Sequence, residues 1–245
     1  MKKLIYLGCL TLIAACQSAA STSTAEVTPI KSVQTPTVPA TATTALTPTQ
    51  ILTPTPFPLF FTEEFNAGIG AWISFQTGGE TSPTLSLKDG LLRMDIASPN
   101  TWYYAIHNAH DYQDILVSAK FTATPPGSIG LICRYSEHGW YEFNISSDGT
   151  YNVLIAQWLG DGIAKYTPIA NDESEYLHAG TLDYEIGLTC QKDSLLLHVN
   201  GKLFRKLNVS RYGLAEGKIG LAAASFEEVP MIASFDRVEV AEPDQ

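Results

Sequence analysis

The sequence predicts an all-β domain, an antiparallel two-sheet sandwich or jelly roll, preceded by a disordered stalk. Three observations lead there. From residue 60 onward no helical period persists beyond about two turns. Short runs rich in Val, Ile, Tyr and Phe recur instead, and turn signals separate them: KDG at 88–90, SDG at 147–149, GDG at 160–162, NGK at 200–202 and EGK at 216–218.

The chain opens on a different material. Lys2 and Lys3 precede an apolar run from Leu4 to Ala15, too short for an ordinary membrane span and closed by small residues, as a secretory signal is. The junction Ile13-Ala14-Ala15-Cys16 looks like a bacterial lipobox. On that reading residues 1–15 are a lipoprotein signal peptide and Cys16 is the lipidated N-terminus. Acyl chains there would hold the protein on a membrane surface without spanning it, at about 0.8 kcal/mol per buried methylene. The alternative is an ordinary signal cleaved nearby. The expected localisation is exported and lipid-anchored, facing outside or the periplasm.

Residues 17–58 hold 12 Thr and 7 Pro, with no aromatic before Phe57. Such a segment cannot bury enough apolar surface to offset its ordering entropy. Proline keeps it extended, so 16–58 reads as a lipidated cysteine followed by a Thr/Pro-rich linker. That composition also suits O-glycosylation.

Residues 59–245 are long enough for one domain with its own core. The whole chain carries a formal charge of −10, and losing Lys2 and Lys3 with the leader makes it −12. Lys202, Arg205 and Lys206 are the densest basic cluster, so nucleic acid is excluded as a partner. Cys133 and Cys190 are the cysteines of the domain. In an exported domain two cysteines either pair or stay as buried thiols. Zinc would need a second pair at ligand spacing.

Strands are expected at 60–65, 91–97, 102–107, 114–123, 129–136, 140–146, 150–158, 163–168, 182–190, 194–199, 203–208, 217–225 and 231–240. Asn200-Gly201 is the strongest hairpin signal, because a type I′ turn needs positive φ at both positions. A short helical turn is expected around Asp172–His178, capped by Asn171 or Ser174.

One hairpin gathers most of the chemistry. In GLICRYSEHGWYEFNIS, Leu131, Cys133 and Tyr135 alternate with Ile132 and Arg134, and Tyr141, Phe143 and Ile145 alternate with Trp140, Glu142 and Asn144. If both apolar sets face the core, the loop holds an odd number of residues. A three-residue loop, Glu137–Gly139, then sets Ser136 opposite Trp140, Arg134 opposite Glu142 and Cys133 opposite Phe143. Arg134, Trp140, Glu142 and Asn144 lie on the outer face as candidate ligand-binding residues, with Trp102, Tyr104 and Trp158 as further stacking candidates. The plainer reading is a cross-strand ion pair between Arg134 and Glu142, worth about 0.2–1 kcal/mol. Ile186, Leu188 and Cys190 share parity, so Cys190 also points inward and a Cys133–Cys190 bridge is favoured.

The runs GLICRY, WYEFNISSDGTY, LTCQKDSLLLHVNGK and KIGLAA, with the opening FFTEEFNAGIGAW and the ending ASFDRVEV, resemble a jelly-roll domain of the concanavalin A-like lectin and glucanase superfamily. The likeness is to the LamG-like version of bacterial surface lipoproteins and, more loosely, to keto-disaccharide-hydrolase-like domains. It spans residues 60–240 and implies fold more than activity. It also implies a structural calcium between the first and last strands, for which Glu63, Glu64 and Asp236 are the oxygen donors to test. No other cofactor is expected.

The hydrolase branch needs two carboxylates about 5–5.5 Å apart, one nucleophile and one acid. Positions 138, 140, 144 and 146 around Glu142 are His, Trp, Asn and Ser, so its own strand supplies no partner. Asp172, Glu173 and Glu175 cluster in a solvated turn. His107, His110, His138, His178 and His198 show no metal-ligand spacing, and no GxSxG nucleophile turn occurs. The expected function is a membrane-anchored lipoprotein presenting a non-catalytic, carbohydrate-binding domain to a glycan or other cell-surface ligand. The alternatives are a hydrolase with carboxylates drawn from different strands, and a structural or protein-binding ectodomain.

Overall fold

The computed structural model describes residues 57–124, 126–160 and 162–243. The leader 1–15, the lipidation site Cys16 and the linker up to residue 56 lie outside the described residues. The domain is all-β, with two antiparallel sheets and a short 3-10 turn at Ser210–Tyr212.

Sheet A runs β13 (Lys202–Asn208), β12 (Ser194–Val199), β11 (Asp183–Gln191), β6 (Ile115–Ala123), β15 (Met231–Ala241), β4 (Leu91–Ile96) and β3 (Thr84–Lys88), with β1 (Phe61–Glu63) also paired to β15. Sheet B runs β10 (Ile163–Glu173), β9 (Thr150–Gly160), β8 (Gly139–Ser146), β7 (Gly127–Ser136), β14 (Lys218–Ser225), β5 (Thr101–His107) and β2 (Trp72–Gly78). The period-2 pattern of each strand sends one set of side chains between the sheets. Phe121, Phe143, Phe235, Met94, Leu131, Leu188 and Leu197 are buried there.

Cys133 on β7 and Cys190 on β11 form a disulfide with Cα atoms 6.6 Å apart. The bond therefore joins sheet B to sheet A across the core, as the shared inward parity of the two cysteines predicts.

Two strands have no counterpart in the expected set. Both β2 and β3 end their sheets, and each leaves much of its length exposed or half-buried. Edge strands are held by their ladders to β5 and β4, so their sequences need not alternate. The helical turn expected at Asp172–His178 is not formed. Asn171–Glu173 complete β10, and a tight turn follows in which Leu177 N donates to Ser174 O at 3.0 Å. Ser174 does cap that turn, its Oγ accepting from Tyr176 N at 3.3 Å. β10 passes Pro168 with a register shift, which an edge strand tolerates because the missing N–H costs no ladder bond.

The hairpin register also differs from expectation. Ser136 pairs with Gly139 around a two-residue turn, and a bulge then sets Cys133 opposite Tyr141 and Ile132 opposite Glu142. The bulge sits at Arg134, whose φ is 55°. This extra residue reverses the parity of the positions after it. Cys133, Tyr141, Phe143 and Ile145 face the core as expected, but Tyr135 moves to the outer face and Arg134 leaves it.

Arg134 instead reaches the end of the sandwich, 3% exposed. Its Nη1 donates to Leu214 O at 2.7 Å, Nη2 to Lys192 O at 2.7 Å and to Gln113 O at 3.0 Å, and Nε to Gln113 O at 3.2 Å. Asp114 lies 3.8 Å away. The expected Arg134–Glu142 pair therefore does not exist. These charge-assisted bonds hold a backbone conformation that a non-glycine residue otherwise avoids. Arg134→Ala strands three carbonyls and removes the anchor of the bulge, so it should cost about 3 kcal/mol or more, read as a lower urea midpoint at unchanged slope.

Candidate functional site

The outer face of sheet B carries the predicted candidates, Arg134 excepted. Antiparallel registry aligns Trp140 with Ala156, Glu142 with Leu154 and Asn144 with Asn152. Further across, Tyr104 lies beside Ala222 on β14 and Phe75 on β2. Small residues on the central strands let the sheet curl: Gly130, Gly220 and Ala222 occupy this face, and a Cβ on Gly130 would lie 2.0 Å from Asn144 Oδ1.

The curl closes the face. β2 and β10 are opposite edges of the sheet, yet Thr77 Oγ1 and Tyr166 OH lie 2.7 Å apart. Tyr166 also stacks on Trp102 with centroids 6.2 Å apart. Phe75 reaches across from β2, stacking on Tyr104 at 4.7 Å and packing against Trp158 at 5.5 Å and Trp140 at 5.8 Å. The enclosed side chains form a second apolar cluster of Tyr104, Ile106, Ile132, Trp140, Ala156 and Ala222. Trp140 and Tyr104 are 0% exposed. Two of the predicted stacking residues are therefore core residues of a second, one-sheet core.

Glu142 lies within this cluster, 1% exposed. Its Oε2 accepts from Trp140 Nε1 at 2.9 Å and its Oε1 from Asn144 Nδ2 at 2.9 Å. Asn144 also donates to Asn152 Oδ1 at 3.1 Å. Burial pushes the carboxyl above its usual range, and hydrogen bonds from Trp140, Asn144 and Tyr104 oppose that shift. Tyr104 OH lies 3.0 Å from Tyr166 OH, which in turn lies 2.7 Å from Thr77 Oγ1. The edge-to-edge contact thus continues through Tyr166 to the buried Tyr104 hydroxyl.

Where the enclosed face ends, a recess of about 340 Å³ opens. Asp111, Tyr135, Ser136, Glu137, Trp158 and Lys218 line it. Trp158 is half-buried, with one side against Trp140 at 5.0 Å and Tyr135 near-perpendicular at 6.4 Å. Lys218 Nζ bonds Asp111 Oδ1 at 2.9 Å, while Glu137 stands in solvent with His138 at 3.7 Å. Of the predicted residues, Trp158 lines this recess, and Trp102, 36% exposed, marks another accessible part of the face. Sequence reasoning misses Tyr135, Asp111 and Lys218. Uninterrupted alternation assigns Tyr135 to the other face, and Asp111 and Lys218 lie outside the hairpin, so only the fold brings them together.

The calcium donors do not assemble. Glu63 Oε1 accepts from Phe65 N at 2.8 Å, and Asp236 pairs with Lys120 at 3.4 Å. Glu64 and Asp236 share a polar recess with Lys120 and Arg237, cations where a metal would need oxygens. Among the described residues no three His, Cys, Asp or Glu side chains converge as a metal site. The residues present do not fit the ion.

No protein-family model and no curated protein matches the sequence. Solved structures do match the fold. A Bacillus subtilis protein of unknown function with a galectin-like fold superposes with a TM-score of 0.57 at 14% identity, covering 74% of this chain and 94% of that one. The carbohydrate-binding module CBM66 from Bacillus subtilis gives 0.52 at 14%, covering 71% and 97%. A Bacillus licheniformis β-glucanase gives 0.53 at 15%, covering 75% and 98%. The domain is a jelly roll of the concanavalin A-like, galectin-like kind, a fold that both a binding module and hydrolases share.

Proposed function

We propose that the domain binds carbohydrate without cleaving it, held on a membrane surface by lipid at Cys16 and spaced from it by the Thr/Pro-rich linker. The observation that carries this reading is the meeting of a half-buried Trp158 with the polar groups of Asp111, Ser136 and Lys218 in one recess. An aromatic face with polar groups at its rim suits a sugar ring, which has apolar C–H faces and hydroxyl edges. On its own strand Glu142 has no acidic neighbour, and Trp140 and Asn144, two positions to either side, take its two oxygens, an arrangement that favours holding over cutting. Resemblance to the binding module and to the glucanase supports the class but not the activity.

The test is a pull-down of the full-length protein on insoluble polysaccharides, with reducing-sugar release assayed in parallel. Retention on at least one glycan without turnover is the expected result. Hydrolysis that disappears in Glu142→Gln would establish an enzyme instead, and a folded protein that binds none of the glycans would point to a protein-binding or structural role.

A further inference from the structure

The closed face and the open recess together constrain how a glycan can be held. A polymer lying across sheet B would have to displace Phe75 and part the Thr77–Tyr166 contact. That would bare Tyr104, Ile106, Ile132 and Trp140, each 0% exposed in the closed sheet. Re-exposing four such side chains costs far more than a few sugar hydroxyls return. The recess at Trp158 needs no such rearrangement. It is closed on the inner side by Trp140 and Tyr135 and open to solvent on the other.

Building on the carbohydrate reading, we propose that this recess receives the terminal unit of a glycan chain end-on, and that the unit is neutral or bears an amino group. Its apolar ring face lies on Trp158. Its hydroxyls meet Asp111, which keeps acceptor capacity beyond the bond from Lys218, together with the Lys218 ammonium and the Ser136 hydroxyl. The charged groups of the recess are Asp111, Glu137 and Lys218, one cation against two anions. With a chain that is net negative overall, this balance repels uronic acid and sulfated termini.

The experiment presents full-length protein with soluble β-1,3-glucan, mannan, chitosan and polygalacturonate, each intact and after partial hydrolysis to short chains, matched by mass. Binding per unit mass should rise on fragmentation for at least one of the first three, as chain ends multiply, and polygalacturonate should stay unbound. Asp111→Asn, a change at an exposed side chain, should weaken that binding tenfold or more with the melting temperature unchanged. Trp158→Ala should do the same, and if it fails to fold then Asp111→Asn decides alone. Binding that weakens on fragmentation overturns end-on capture while leaving the carbohydrate reading intact. Tight binding of polygalacturonate overturns the charge argument. No binding by folded protein overturns both readings.

Discussion

Replacing Cys133 and Cys190 together by alanine should lower the unfolding free energy by about 4 kcal/mol. The bond closes a loop of 57 residues, and removing that constraint frees the unfolded chain accordingly. It also links β7 to β11, so it is the covalent tie between two sheets otherwise joined by packing and chain connections. Both cysteines are 0% exposed, and their loss adds a small cavity at the core. For a domain of this size the melting temperature should fall by roughly 10 °C. Denaturant titration of the double variant against wild type, without reductant, measures the difference. An unchanged midpoint would show that the sheets hold each other without the bond.

Acidification should destabilise the wild type through His107, and a His107→Phe variant should lose that part of the pH dependence. His107 is buried on β5 amid Phe57, Phe61 and Trp72, with ring centroids 4.6–5.1 Å away. Neither of its ring nitrogens, nor the Trp72 indole nitrogen, has a hydrogen-bond partner among the described residues. Burial, aided by the nearby His110, lowers its pKa from 6.5 to about 4. The folded state therefore resists a proton that the unfolded chain accepts. Stability is full above about pH 6.5 and drains away as pH falls toward 4, by about 3 kcal/mol over the window. Carboxylates titrate in the lower part of the same range, so the informative quantity is the difference between wild-type and His107→Phe unfolding curves. That difference should change across pH 6.5–4, and a flat difference would show that His107 is not the group responsible. The segment covering His107 is the chain's entry to the domain, pinned by His110 Nε2 against Phe57 O at 2.8 Å and by Tyr112 OH donating to Leu59 O at 2.8 Å. Acid should therefore loosen the domain at that corner first.

The candidate site shows which features a strand pattern can carry. Trp140, Glu142 and Asn144 share a face because side chains alternate along β8, and that requires nothing beyond the strand itself. Whether that face is a surface is another matter. Trp140 is buried because β2 crosses to β10, residues 77 and 166 meeting across a curled sheet, and the curl is a property of seven strands acting together. Strand β2 gives little sign of itself, since an edge strand is specified by its partner's ladder. Arg134 fails for a similar reason. Its outward placement follows from uninterrupted alternation, but three carbonyls distant in sequence offer its guanidinium a better setting, and the backbone takes up a bulge to reach them.

Local periodicity and residue chemistry suffice for the all-β class, for the inward parity of Cys133 and Cys190, and for the lack of a second acid near Glu142 on its own strand. None of these needs a distant partner to be read. The folded domain was required to close the aromatic face, to set Tyr135 rather than Arg134 on it, and to bring Trp158, Asp111 and Lys218 to its open end. Those outcomes depend on sheet curvature, a bulge and long-range contacts, whose energies are set by groups far apart in the chain and are not written in any one segment of it.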